Sequence, residues 1–310
     1  MALPTSILCP VDFSAHSERA LRHAVALAGA WHARLTVLTV NDALLVDAAA
    51  AAGYTGTLRD QSEAALLALL ERVPAHTTRV LPAIDVATGA AADEIMLAVA
   101  RADADLVVMG TQGLGGTSKL MFGSTTERVI RAARVPVLAV PSYTPECISV
   151  QGGVTRFAVG SVVAAVALEP LDGAVTAVAS TWAAACGATL VLAHVCGEAP
   201  APAWWPFADR PAPLASLDVA RTQVQALAAT LATTPAPHVD VRRGAVPAVI
   251  AEITRDRAAG LLVVSRGGAE HRLGAVAYRI MCEADLPTLV VTGRGRRRGV
   301  NRRRAAPPPT

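Results

Sequence analysis

The chain has 310 residues, of which 53% are hydrophobic, 17% charged and 4% aromatic. That is enough for two domains with cores of Ala, Val and Leu, and it excludes general disorder. The net charge of +3 is uneven: residues 294–304 carry seven arginines and no acid, so the remainder is mildly acidic.

The elements alternate along the first half. Residues 7–11 form a short apolar run suited to a strand. Ser14 then opens a helix whose Ala20, Leu21, Ala24, Val25 and Ala28 recur at helical spacing. Residues 35–40 read as a strand, 64–73 as a helix, 79–86 as a strand and 90–101 as a helix. Residues 106–109 make the fourth strand, 124–134 a helix and 137–140 the last strand. Strands separated by helices of this length predict βαβ units in a parallel, doubly wound, Rossmann-like α/β sheet.

The second half repeats the first. Residues 33–40 match 188–195 at an offset of 155, which also pairs Gly89 with Gly244 and Ile95 with Ile250. The last strand pairs at an offset of 151, residues 135–140 with 286–291, so four residues are missing from the loop before it. The expected organisation is a first domain at 1–146, a short linker at 147–153, a second domain at 154–293 and a disordered basic tail at 294–310. Residues 173–195 contain no charge, but they are rich in Ala, Thr and Ser and read as a buried helix and strand, not a membrane span. No signal peptide is expected, since a basic n-region is missing and Asp12 interrupts the first apolar run. Five widely spaced cysteines without a CxxC pair argue against a disulfide framework and fit a reducing compartment, hence a cytoplasmic protein. Seven scattered histidines without an HExxH pair suggest no protein-bound metal.

In open parallel sheets, ligands bind beyond the carboxyl ends of the strands, where the strand order reverses. Asp12 stands there after the first strand; alone it reads equally as a turn residue. After the fourth strand comes Gly110-x2-Gly113-x9-Gly123-Ser124. Glycines let backbone N–H groups surround a polyphosphate, and a helix opening at Ser124 favours an anion. Ser124 also fits a capping box with Glu127. This constellation resembles the ATP-binding pattern of the universal stress protein family, and the likeness covers nearly the whole chain. The resemblance implies that Asp12 meets the nucleoside end, the Val40 backbone meets adenine, and Pro10 lies under base and ribose. It further implies that Gly110, Gly113, Gly123, Ser124 and Thr125 hold the phosphates, bridged by Mg²⁺. Family members often dimerise through the last strand. The two copies are therefore expected to pair as a pseudo-dimer, with a homodimer of chains as a further option.

The second copy departs from the pattern: Ala167 replaces Asp12, Ser265 replaces Gly110 and Ala275 replaces Ser124. It reads as a degenerate domain, although Arg266 and Arg272 leave room for a smaller anion or simply face solvent. Trp204, Trp205 and Phe207 either form a contact patch or pin their own loop. The arginine tail either binds nucleic acid or acidic lipid or is merely solvated. The expected function is ATP-dependent regulation in a stress response without rapid turnover. The alternatives are a slow ATPase or nucleotidyl-transferring enzyme of the same fold class, and a nucleic-acid binder acting through the tail.

Overall fold

In the computed structural model, residues 2–53, 57–73, 81–112, 122–141, 147–151, 154–169, 172–197, 216–267 and 273–292 are described. The first copy runs β1 (Ser6–Pro10), α1 (Ala15–Trp31), β2 (Arg34–Asn41), α2 (Ala43–Ala51), α3 (Thr57–Arg72), β3 (Ala83–Thr88), α4 (Ala91–Arg101), β4 (Leu106–Gly110), α5 (Ser124–Ala132) and β5 (Val137–Val140). A hairpin, β6 (Ile148–Gln151) and β7 (Val154–Phe157), leads into the second copy. That copy runs β8 (Ser161–Ala165), α6 (Asp172–Cys186), β9 (Thr189–Cys196), α7 (Leu217–Ala229), β10 (His238–Arg243), α8 (Val246–Asp256), β11 (Leu261–Ser265), α9 (Ala275–Ala284) and β12 (Thr288–Val291).

The strands form one ten-stranded sheet in the order β10-β9-β8-β11-β12-β5-β4-β1-β2-β3. Within each copy all pairings are parallel. At the centre β5 and β12 pair antiparallel, with Leu138 opposite Leu289. The expected pairing of the two copies through their last strands is thus present. It uses both of those strand edges, so any homodimer would need another surface.

Parallel strands covered on both faces read as continuous apolar runs, and every residue of β1, β4, β5 and β12 is buried. Alternate residues serve two cores. Ile7, Cys9, Val162 and Ala164 join residues of α1, α3, α6 and α7 on one face. Leu8, Val107, Val163 and Leu262 join residues of α4, α5, α8 and α9 on the other. Each core runs through both copies. The antiparallel seam therefore turns the second copy end for end while keeping its faces, and the carboxyl ends of the two strand sets lie at opposite rims.

Three sequence expectations change. The segment 147–153, expected as a plain linker, contains β6 and leads straight into β7. The residues flanking the hairpin are packed: Cys147 donates its thiol hydrogen to Gly260 O (3.1 Å), and Phe157, the last residue of β7, meets Trp182 edge-on (6.2 Å between centroids). Trp182 in turn meets Trp31 of the first copy at 4.7 Å, so aromatic rings tie α1 to α6 beneath the hairpin. The helix α2 was not expected; Asp42 caps it by accepting Leu44 N–H (2.7 Å), and none of its residues is buried. The third strand starts at Ala83 and not at residue 79, and residues 74–80 lie outside the described residues. The Trp204 to Phe207 cluster and the arginine tail also lie outside them.

One edge of the sheet is β10, whose Asp240 accepts from Arg242 (2.9 and 3.1 Å) and Arg257 (3.1 and 2.9 Å). Burial raises the Asp240 carboxyl, but the two guanidiniums outweigh it and hold the group below its usual range. A carboxylate depressed in the folded state stabilises above its unfolded pKa, and that stability is lost as pH falls through the folded value. Asp240→Asn should therefore cost about 1.5–3 kcal/mol at neutral pH. The gap to the parent should close as pH drops below about 4. Denaturant melts across pH check both; a gap that stays constant down to acid would refute the assignment.

Candidate functional site

The first copy has strand order β3-β2-β1-β4-β5, so the strand order reverses between β1 and β4. The paired residues there stop at Leu8 and Val107, although β4 continues to Gly110. Pro10 explains the early stop. Val11 N–H donates to Leu38 O on the β2 side (2.8 Å). One residue back, Pro10 turns its nitrogen toward β4, and proline has no proton to give. In a doubly wound sheet this is the point where a ligand crevice is expected.

Asp12 lies on the rim of this crevice, in the turn between β1 and α1. Its N–H donates to Ser17 Oγ (3.2 Å), and its Oδ1 accepts from Ser14 N–H (3.1 Å) and Ser14 hydroxyl (2.6 Å). Ser14 in turn caps α1 by accepting Ser17 N–H (3.2 Å). Between them Phe13 has φ of +61°, a left-handed conformation costly for a non-glycine residue. The turn is therefore over-determined, and it holds the carboxylate in one orientation. His16 in the first turn of α1 is pushed below its ordinary pKa by burial, against the opposing charge of Asp12.

Val40 stands at the end of β2. Leu38 O faces β1, and the backbone two residues on faces the same side. Val40 N–H and C=O therefore point past the end of β1, above the crevice, while Asn41 O is turned the other way and accepts Gly89 N–H (3.0 Å).

Gly110 ends β4. A Cβ there would lie 2.9 Å from both C and O of His16, so α1 can pack only against a glycine. Gly110 O accepts the hydroxyl of Thr126 (2.9 Å). The chain leaves and re-enters through a neck in which Gly123 N–H donates to Thr111 O (2.8 Å) and Thr111 N–H to Val140 O (3.1 Å). Gly113 lies outside the described residues.

At α5 the capping-box reading is corrected. The N-cap is Gly123, no side chain caps the helix, and Ser124 is its first helical residue. Glu127 instead pairs with Arg131. The N–H groups of Ser124 and Thr125 thus stand at a helix start without a side-chain cap, where the dipole favours negative charge. Pro10, Asp12, Val40, Gly110, Gly123, Ser124 and Thr125 all lie at the carboxyl ends of β1, β2 and β4 or at the helix facing them. Among the described residues no cluster of three or more His, Cys, Asp or Glu could hold a metal.

The opposite rim has the same backbone and different chemistry. Leu168 repeats the left-handed turn with φ of +62°. There the turn is held by Asp172, a buried carboxylate of α6 that accepts Ala167 N–H (3.1 Å) and Glu169 N–H (2.8 Å). The acid has moved from the rim, where Ala167 stands, to the position corresponding to Ser17. His194 donates from Nδ1 to Val166 O (2.9 Å). Arg266 neither faces solvent nor offers itself to an anion. It is 8% exposed and donates to Arg131 O (3.1 Å) and Ala133 O (2.8 Å) at the C-terminal end of α5. No sequence spacing signals this contact, which joins residues 133 and 135 positions apart.

The universal stress protein family model matches the chain twice, at residues 5–141 and 158–292. The chain belongs to the universal stress protein family. A universal stress protein of Methanocaldococcus jannaschii is 30% identical over 138 residues, 43% of this chain and 80% of that protein. Another from Thermus aquaticus is 34% identical over 139 residues, 44% of this chain and 97% of that protein. The solved universal stress protein of Archaeoglobus fulgidus superposes with a TM-score of 0.67 at 18% identity, over 94% of this chain and 99% of that one. That likeness extends the tandem fold over both copies.

Gly110 offers a test of the packing argument. Gly110→Ala should destabilise this universal stress protein by about 1–3 kcal/mol without any ligand, because the new Cβ meets backbone and not a flexible side chain. Chemical denaturation of the ligand-free chain measures it. Unchanged stability would show that α1 yields at no cost.

Proposed function

We propose that the chain is a cytoplasmic regulatory protein of the stress response that holds one ATP, in its first copy only, without rapid turnover. The observation that carries this reading is the contrast between two rims built on one backbone. The first presents the Asp12 carboxylate, the Val40 backbone and the hydroxyls of Ser124 and Thr125 at the uncapped start of α5, whereas α9, which also starts uncapped, begins with Ala275. The second presents Ala167, a buried Asp172 and an arginine turned away into the seam. Five cysteines, none of them in a disulfide, fit a reducing compartment. No helix among the described residues is long and apolar enough to cross a membrane.

In this reading Asp12 accepts from the ribose hydroxyls, and Val40 offers adenine one donor and one acceptor from its backbone. The N–H groups and hydroxyls of Ser124 and Thr125 meet the phosphates, along with Gly110, Gly113 and Gly123. Mg²⁺ usually keeps several waters and binds through phosphates, so it needs no acidic cage and would neutralise charge between them. These residues bind and orient. None of them stands as a base positioned to activate water, so turnover should fall far below the enzyme median of about 10 per second.

Calorimetric titration of the whole chain with Mg-ATP should give one equivalent. Asp12→Ala should weaken binding by about 1.5–3 kcal/mol, the loss of a charged hydrogen bond. Two equivalents, or none, would overturn the reading. A steady-state rate near the enzyme median would make the chain a catalyst instead.

A further inference from the structure

Helix α5 is gripped by the other copy at both of its ends. Before its N-terminus, the buried Phe122 packs on Tyr278 of α9 with ring centroids 5.5 Å apart, and Phe122 N–H donates to the Tyr278 hydroxyl (3.3 Å). Phe122 directly precedes Gly123, the cap residue of α5 and one side of the neck. At the far end, Arg266 places its guanidinium on two carbonyls of the last turn. A cation there complements the helix dipole, and the two bonds offset the cost of burying the charge.

A helix of nine residues is marginal by itself, so its position is set by its anchors. Thr126, Val129 and Ile130 fasten α5 to its own sheet. The two end contacts come from the second copy, and both come from segments that correspond to that copy's own lost site. Arg266 follows β11 as Thr111 follows β4, and Tyr278 stands in the helix that corresponds to α5 itself.

We propose that Tyr278 and Arg266 are positioning residues for the nucleotide site of the first copy. They fix the neck and the axial placement of α5, so that the phosphate-facing N–H groups are set by the second copy. The inference rests on the reading above, in which α5 faces the phosphates. It gives the second copy a role that needs no ligand of its own. It also makes binding and the seam reciprocal: what the seam does for ATP, ATP must do for the seam.

The test uses the full chain with Tyr278→Phe, Arg266→Met and Arg266→Lys. Tyr278→Phe keeps the ring and removes the acceptor of Phe122 N–H. Without nucleotide it should speed hydrogen exchange at the Phe122 amide while leaving the melting temperature close to the parent's. Both Tyr278→Phe and Arg266→Met should weaken Mg-ATP binding, by about five- to 150-fold, the common range for coupled sites. Arg266→Lys should recover part of the loss, since an ammonium still donates to C-terminal carbonyls. In the parent, Mg-ATP should slow exchange in α9 as well as in α5. A purely structural role would lower melting temperature and leave affinity intact. Parental ATP affinity in Tyr278→Phe and Arg266→Met would overturn the inference and spare the nucleotide reading, as would ATP protection confined to the first copy. Failure of the parent to bind Mg-ATP would overturn both.

Discussion

The antiparallel pairing of β5 with β12 is the constraint on which the rest of the molecule depends. A four-residue strand buried on both faces cannot remain an open edge without inviting another chain. The seam closes that edge from within, merges two five-stranded sheets into one and makes each face a single core. It also reverses the second copy, so the carboxyl ends of its strands point toward the N-terminal ends of the first copy's strands. That reversal brings the segment after β11 against the last turn of α5. The contact of Arg266 with Arg131 and Ala133 follows from the handedness of the seam as much as from the arginine.

Divergence between the copies has spared the backbone and altered the polar groups. Phe13 and Leu168 share a strained left-handed turn, and Gly89 and Gly244 share a positive φ after β3 and β10. What differs is which atom fastens the turn. In the first copy a serine hydroxyl takes the Asp12 N–H, and the carboxylate stays on the rim. In the second a buried carboxylate takes the corresponding N–H and that of Glu169. A buried acid that accepts backbone hydrogen bonds is well satisfied, and it is of no use to a ligand. The same exchange recurs at Arg266, whose charge is spent on helix carbonyls. In both places a charged group of the second copy is satisfied by backbone groups and holds structure.

Much of this was legible in the sequence. The constant offset of 155 placed the copies, and the apolar runs placed the central strands to within a residue or two. The rim was legible as well, because Asp12, Gly110 and Ser124 follow strands whose order can be reasoned out. Two misses had signals that were present: residues 148–157 are two short runs separated by Gly152-Gly153, a strong hairpin pattern, and Asp42 is a good helix cap before α2. The capping box failed because Ser124 and Gly123 compete for one position. Glycine takes it, since its N–H is drawn back to Thr111 O at the neck. Arg266 and Tyr278 carried no signal. Their partners lie more than 130 residues away, and spacing along the chain says nothing about contacts across a seam.

Gly110 has a packing role that is independent of any ligand. Its missing Cβ admits the first turn of α1, which carries the turn that orients Asp12. Its carbonyl takes Thr126, which seats the start of α5. One residue therefore sets both sides of the crevice. The same logic extends to the second copy. Without it, the β5 edge and both cores would open to water, and the last carbonyls of α5 would lose their cation. A copy whose rim residues differ from the first copy's thus still packs against it through the strand, the two faces and the two ends of one short helix.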